Sequence, residues 1–379
     1  MGNVMGQCGA KRNQNYKKLF IEDLNIDSIL SEDVSEEKFW YILHRNGRLV
    51  GCIGSREYDQ ICKTKQIVIK TDCMYIHTGE KEKQAAAELF TVNDRLRKLP
   101  VVDEDGRLMY EYVRSIETYY DELDISCGVN RGKKYEEEIV VSLTSFGNRL
   151  DTVHIAVKSI MTQTLKPDVI VLYIAKEDSQ KKIHQEEKLV QAGLKIVRNA
   201  EDLKPHKKYF YAMQEYPKSL IITVDDDAIY DEDLLEDLYE KHLKYPKAVI
   251  CGRGHRMTKK DGRVNPYDMW EGCVQSISPE RGICPTGIGG ILYPCGSYRK
   301  AFLDKKGILE TSICGDDLWL KTVELMEDVK VYAIGKLPAR IIEGSQEEAL
   351  YIENANNKRN DEYLYRIQAY FDINIADLF

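Results

Sequence analysis

The sequence predicts an α/β protein: a mostly parallel sheet flanked by helices, preceded by a smaller α/β region. Two observations carry this reading. From Ile139 onward, short apolar runs alternate with stretches of helical spacing, the pattern of a parallel sheet with crossover helices. One of those runs, Leu220 to Val224, ends in three consecutive aspartates, Asp225, Asp226 and Asp227. Carboxylates at the carboxyl end of a buried strand face the crevice where open α/β sheets bind ligands. Three like charges packed so closely repel, and a divalent cation bound by oxygen ligands removes that repulsion. A metal site in such a crevice points to phosphate chemistry.

Composition sets the bounds. A chain of 379 residues is expected to form two or three domains. With 43% hydrophobic and 31% charged residues it reads as an ordinary soluble globular protein, and a net charge of −8 argues against a general nucleic-acid binder. No run of eighteen apolar residues occurs, so no transmembrane helix is expected. Residues 1–18 read as a flexible N-terminus without the apolar core of a secretion signal, and Gly6 stands where a myristoylation pattern needs Ser or Thr. Ten cysteines without a Cys-x-x-Cys pair or a zinc-type spacing read as reduced thiols of a cytoplasmic protein. Any membrane association is expected to run through the acceptor or a partner.

Residues 19–124 have their own pattern. Phe39 to Leu43 is a strand, Asn46-Gly47 a hairpin turn, and Arg48 to Ile53 the returning strand. The Ala-rich stretch Lys81 to Phe90 reads as a helix. Leu99 to Val102 is a strand, Asp105-Gly106 a turn, Arg107 to Val113 a strand and Ser115 to Leu123 a helix. Asn46-Gly47-Arg48-Leu49 is echoed by Asp105-Gly106-Arg107-Leu108, the mark of an internal repeat. The segment Arg97 to Leu108 resembles the second half of a cystathionine-β-synthase (CBS) domain, and the echo suits a tandem pair. That resemblance implies a regulatory or self-associating module, with adenine nucleotides as the ligand class. A plain packing or dimerisation module stays open.

Residues 125–137, with Gly128, Gly132 and Lys133-Lys134, read as a linker. The following domain spans 138–345. It opens with the strand Ile139 to Ser145, and Leu150 to Thr162 then places Val153, Ala156, Val157 and Ile160 on one helical face. Val169 to Ile174 is a strand, Lys181 to Ala192 a helix, Leu194 to Val197 a strand and Lys207 to Tyr216 a helix. The aspartate-bearing strand follows, then a helix over Asp231 to Lys244 with an acidic first turn and a strand over Ala248 to Cys251. Gly252 to Pro285 has no periodicity and reads as loops. Asp317 to Met326 is a helix, Lys330 to Ile334 a strand, and 346–379 a helical extension.

Four segments of this domain together resemble a GT-A-fold, family-2-like glycosyltransferase. They are Val140 to Phe146 with Arg149 behind it and Ser159 to Thr164 closing the next helix; Thr223 to Asp227; Gly287 to Pro294; and Gly315 to Leu320. The resemblance implies a sugar transferred from a nucleoside-diphosphate donor, a UDP-sugar first, to a saccharide or lipid-linked saccharide acceptor, with Mn²⁺ or Mg²⁺ as cofactor. By analogy the acceptor belongs to surface polysaccharide synthesis.

The residues support this chemistry. Breaking a sugar–phosphate bond leaves negative charge on the diphosphate, which a hard cation held by one or two carboxylates neutralises. In an extended strand alternate residues share a face, so Asp225 and Asp227 are expected to hold the metal while Asp226 faces the nucleotide. An acidic loop capping the helix after Asp231 is the competing explanation. Asp316-Asp317 opens an apolar helix, where carboxylates serve equally as caps. A general base for the acceptor hydroxyl needs a carboxylate whose pKa is lifted by burial or a neighbouring charge, and two adjacent carboxylates supply one. The resemblance assigns the base to Asp317, with Asp316 as the alternative.

Gly287, Gly289 and Gly290 permit close backbone approach to a ligand, or simply form a turn. The resemblance puts Gly289 and Gly290 beside donor sugar and acceptor, and Ser142, Thr144 and Arg149 beside base and ribose. In Lys204-Pro205-His206-Lys207-Lys208, Lys207 is the candidate for the diphosphate, though a solvated basic face accounts for such a run as well. Trp270 offers a ring for an acceptor sugar but fits core packing better. His255 reads as structural, with a metal-ligand role open. Two other readings remain open: a nucleotidyltransferase or phosphohydrolase, and a nucleotide-sugar-binding regulator without turnover.

Overall fold

Alternating apolar runs and helical segments must bury their faces against each other, and the chain does so in two units, 1–122 and 123–379. The computed structural model describes residues 16–20, 39–43, 49–54, 66–70, 75–79, 85, 89, 98–113, 116–132, 135–296, 298–342, 345 and 359–379. The Asn46-Gly47 turn, most of the expected 81–90 helix, Lys133-Lys134 and the start of the helical extension lie outside these residues.

In the first unit, β1 (Tyr16–Phe20), β2 (Phe39–Leu43), β3 (Leu49–Gly54) and β4 (Gln66–Lys70) form an antiparallel sheet in the order β1-β4-β3-β2. A second sheet pairs β5 (Ile76–His77) in parallel with β6 (Lys98–Val102), which pairs antiparallel with β7 (Leu108–Val113). Helical residues Ala85 and Leu89 lie between β5 and β6, and α1 (Ile116–Glu122) follows β7. The Asp105-Gly106 turn is fixed by Asp103, whose Oδ1 accepts from the amides of Asp105 and Arg107. The described strands flanking the two echoing segments therefore belong to sheets of different topology. A tandem repeat of one CBS-like unit is not supported by the described strands.

In the second unit, β8 (Ile139–Ser145), α2 (Val153–Met161), β9 (Val169–Ala175), α3 (Glu186–Ala192), β10 (Leu194–Ala200), α4 (Lys207–Glu215) and β11 (Leu220–Thr223) alternate. After β11 come β12 (Ala228–Tyr230), α5 (Leu234–Lys244), β13 (Val249–Cys251), and the short strands β14 (Gly254–Arg256), β15 (Lys259–Lys260), β16 (Arg263–Val264) and β17 (Ile283–Pro285). The chain closes with β18 (Ile291–Tyr293), α6 (Arg299–Phe302), α7 (Lys305–Thr311), α8 (Asp316–Met326), β19 (Val331–Ala333), β20 (Ala339–Ile341) and α9 (Arg359–Phe371).

The central sheet runs β10-β9-β8-β11-β18-β13-β19 and is parallel except where β18 pairs with β11 and β13. All but the edge strand β10 are covered on both faces, which is why they read as largely apolar runs. Strand periodicity divides the core. Val140, Val171, Tyr173 and Ile221 pack with Tyr209, Phe210 and Trp319 on one face. Ile139, Val141, Leu143, Ile170, Leu172 and Ile222 pack with Val157, Ile160, Leu189 and Leu234 on the other.

Three expectations shift. The helix expected from Lys181 starts only at Glu186, because Gln185 adopts a left-handed backbone (φ 57°) and Arg198 engages the carbonyls of Ser179 and Lys181 at 2.9 Å each. All nine residues of α2 are buried, so its polar face is covered as well as its apolar one. The expected linker straps onto the second unit. The Gly128 amide donates to the Ala192 carbonyl (2.8 Å), Asn130 Nδ2 donates to Asp168 Oδ1 (2.8 Å), and Glu137 meets His242 Nε2 at 2.7 Å. Gly128 is required there: a Cβ would fall 2.3 Å from Met161 Cγ.

Candidate functional site

The aspartates follow β11 in a turn, not in the strand. Val224 stays in register, its amide donating to the Ser142 carbonyl (3.1 Å). The Asp225 amide then donates to the Tyr230 hydroxyl (2.7 Å), and the chain reverses through Asp226 and Asp227 into β12. On the far side the Ile342 amide donates to the Asp227 carbonyl (2.8 Å). Strand alternation therefore does not apply, and the expected pairing of Asp225 with Asp227 is corrected. Asp226 and Asp227 turn together toward Arg149, at 2.9 Å to Nη1 and 3.0 Å to Nη2, while Asp225 turns to Lys208 Nζ at 2.7 Å.

Arg149 comes from the 3₁₀ turn Gly147–Asp151 behind β8, and its guanidinium lies 5.4 Å from the Phe146 ring centroid. Burial alone would lower its pKa; the charges of Asp226 and Asp227 outweigh burial and hold it raised. Two carboxylates on one guanidinium fork form a fixed, largely desolvated wall.

Lys208, buried in the first turn of α4, joins the other carboxylates. Its ammonium meets Asp225 at 2.7 Å and Asp316 at 3.0 Å. Burial would depress it, but Asp225, Asp316 and Asp317 hold it well above the usual lysine range. Asp316 and Asp317 open α8 and divide in behaviour. Burial pushes Asp316 up, yet the Lys208 ammonium brings it below the usual carboxylate range. Asp317 has no such contact. Burial, with the Asp316 charge next to it, pushes it well above that range. Instead of capping its own helix, its Oδ2 accepts from the Gly287 amide at 3.3 Å.

Gly287 closes the ring. A Cβ there would fall 2.8 Å from Lys208 Nζ and 3.0 Å from Asp225 Oδ1. Gly290 is needed for a different reason, a left-handed φ of 70° that turns the chain into β18.

Residues 143–305 match the family model Glycosyl transferase family 2. The matched segment covers less than half of the chain. No curated protein matches the chain. Among solved structures, the mannosyltransferase PcManGT from Pyrobaculum calidifontis in complex with GDP-Man and Mn²⁺ is 12% identical, over 64% of this chain and 66% of that one, with a TM-score of 0.38. The chain thus spans just under two thirds of that protein. The matched segment holds the aspartate turn and the glycine loop; Asp316-Asp317 and α9 lie beyond it.

Within the second unit, the sequence candidates separate. Asp225, Asp226, Asp227, Arg149, Asp316 and Asp317 come together. Lys207 does not: its ammonium is buried against Asp202, and its neighbour Lys208 takes the site position. The Ser142 hydroxyl donates to the Lys208 carbonyl (2.5 Å) and that of Thr144 to the Tyr173 carbonyl (2.8 Å), so both hydroxyls hold backbone. Gly289 packs on the Arg253 backbone, away from the carboxylates. Trp270 is core, its indole N–H donating to the Asn265 carbonyl. His255 Nδ1 accepts from the Cys273 amide (3.1 Å), a structural role. Sequence reasoning passed over Lys208 and Tyr230. Their signal was present, a cation in the same run as Lys207 and a tyrosine three residues beyond the triplet, but nothing local ranked them.

The donor set is all oxygen, which suits a hard cation. The three carboxylates do not converge as a cage. Asp225 and Asp227 keep 26% and 12% of their side-chain surface, against 6% for Asp226. Among the described residues no helix is long and apolar enough to cross a membrane.

Proposed function

We propose that this protein is a glycosyltransferase that moves a sugar from a nucleoside-diphosphate donor, a UDP-sugar first, to a hydroxyl of a saccharide or lipid-linked saccharide, with inversion. The observation that carries the proposal is the gathering of Asp225, Asp316 and Asp317 around Lys208 and Gly287. These contacts bring the aspartate turn, here read as the cation site, beside a carboxylate here read as the base. Asp317 accepts the acceptor's hydroxyl proton as that oxygen attacks the anomeric carbon. The bond from that carbon to the phosphate oxygen breaks, and its electron pair leaves with the diphosphate. Its raised pKa makes Asp317 a stronger base than an ordinary carboxylate. Arg149 fixes Asp226 and Asp227 in place, and Lys208 does so for Asp225 and Asp316.

Asp225 and Asp227 would hold Mn²⁺ or Mg²⁺, which supplies Lewis-acid stabilisation of the leaving diphosphate. On this proposal residues 138–345 carry the reaction, and 19–124 form a regulatory or self-associating module. The test is a panel of nucleoside-diphosphate sugars screened for thermal stabilisation with and without Mn²⁺, since binding to the native state raises stability. Metal-dependent stabilisation by at least one donor, lost in Asp227→Ala, is the expected result. Unchanged donor binding by Asp227→Ala in Mn²⁺ would remove the metal assignment. Donor binding without nucleoside-diphosphate release on adding acceptors would favour a regulator over an enzyme.

A further inference from the structure

The C-terminal residues 359–379 lie outside the family-matched segment, yet they contact two segments that connect to Asp317. On α9, Asp361 Oδ1 accepts from the Tyr267 amide at 2.8 Å. Two residues on, the buried Tyr363 ring covers Gly315, the residue just before Asp316-Asp317; a Cβ on Gly315 would fall 2.5 Å from Tyr363 Cδ2. Further along, the rings of Tyr370 and Phe371 pack on Trp319 of α8 at 6.4 and 5.3 Å between centroids. The Tyr370 hydroxyl donates to Asp304 Oδ2 at 2.9 Å. Past the helix, Asn374 Nδ2 donates to the Gly262 carbonyl (2.9 Å) and Lys259 Nζ to the Ala376 carbonyl (2.8 Å), fixing the β15–β16 hairpin to the same segment.

Tyr267 is joined to Asp317 through packed neighbours. Its ring packs on Trp270 (4.8 Å) and edge-on to His255 (5.9 Å). His255 pairs with Cys284 across β14 and β17, and the Cys284 thiol approaches the Asp317 carbonyl at 3.9 Å. One helix thus grips both the loop bearing Tyr267 and the first residue of the turn that presents Asp317.

We propose that α9 positions the acceptor side of the site, Asp361 by fixing Tyr267 and Tyr363 by fixing the start of α8, so that an acceptor hydroxyl is presented to Asp317. The proposal rests on the reading of Asp317 as the base. Neither Asp361 nor Tyr363 touches the reacting atoms; both are positioning residues. Charge-assisted bonds to backbone amides are short and directional, and small misplacements of a reacting group cost large factors in rate.

The experiment compares wild type, Asp361→Ala and Asp361→Asn by amide hydrogen exchange, donor affinity and steady-state kinetics in a saccharide acceptor. Asp361→Ala is expected to speed exchange at the Tyr267 amide and to raise the acceptor KM by about tenfold, with donor affinity unchanged. Asp361→Asn keeps an accepting oxygen and should stay within about threefold of wild type. Unchanged exchange and unchanged acceptor KM in Asp361→Ala would overturn the proposal, as would a parallel loss of donor affinity, the sign of general loosening. A wild type that turns over no nucleotide sugar would refute the glycosyl-transfer reading, while the exchange arm still decides whether α9 holds Tyr267.

Discussion

Two walls of the crevice hold carboxylates in different ways. On one, Arg149 takes Asp226 and Asp227 in a single fork, and both acids are bonded to it. On the other, Lys208 reaches Asp225 and Asp316, and Asp317 is left with the Gly287 amide. A guanidinium matches two carboxylates by shape, whereas an ammonium is a point charge that satisfies whichever oxygens come near. The Arg149 wall is a fixed scaffold, and the Lys208 wall carries a surplus of negative charge. A carboxylate outside the ammonium's reach, buried beside two that are inside it, is the one driven toward protonation. Base strength at Asp317 is in this sense a by-product of what Lys208 does for Asp316.

The largest expected break in this comparison is Lys208→Met. It strands buried acids without a counter-ion and should destabilise the protein by about 3–5 kcal/mol, read by denaturant unfolding. It should also remove the difference between Asp316 and Asp317, so turnover falls further than stability explains. Next is the pH dependence of the Lys208 wall. His206 is buried and neutral, its Nε2–H donating to the Ser312 carbonyl (2.8 Å) and its Nδ1 accepting from the Tyr209 hydroxyl (2.7 Å). Burial lowers its pKa to about 4. Between that value and the ordinary histidine pKa of about 6.5 the unfolded chain binds the proton and the folded one does not. Stability contributed by His206 is therefore complete above about 6.5, falls as pH drops toward 4, and is flat below, a total of about 3 kcal/mol. Equilibrium unfolding across that range should show the slope, and His206→Gln should reduce it. The smallest effect belongs to Arg149→Lys. Charge is kept and the fork is lost, for about 1–2 kcal/mol of stability with the Lys208 wall unchanged. Equal losses of turnover from Arg149→Lys and Lys208→Met would erase the distinction between the walls.

Much of this architecture was legible in the residues, and the exceptions share a cause. The strands over 139–145, 169–175 and 220–223 announced themselves because a doubly covered strand must be apolar throughout. The family-2-like resemblance agrees with the family model over 143–305. The arrangement of the triplet was not legible. Its turn is fixed by Tyr230, and its partners Arg149 and Lys208 lie 77 residues away from Asp226 and 17 from Asp225. Lys207 was chosen over Lys208 because neighbours on a helix point roughly 100° apart and the sequence does not give the phase. Glycines at 287, 289 and 290 look alike in sequence, yet only the first lies against the carboxylates. The contacts of residues 125–137 with the second unit were not legible, because a strap that bonds through backbone amides has the same polar, glycine-containing composition as a loose linker.

The central claim is that Asp317, freed from any cation, is the base. Asp317→Asn keeps the shape and the acceptor for the Gly287 amide but cannot take a proton. Nucleoside-diphosphate release should be followed with acceptor present, alongside donor affinity. The account predicts donor affinity within about twofold of wild type and turnover lower by about 10²- to 10⁴-fold. Turnover near the wild-type rate would contradict it.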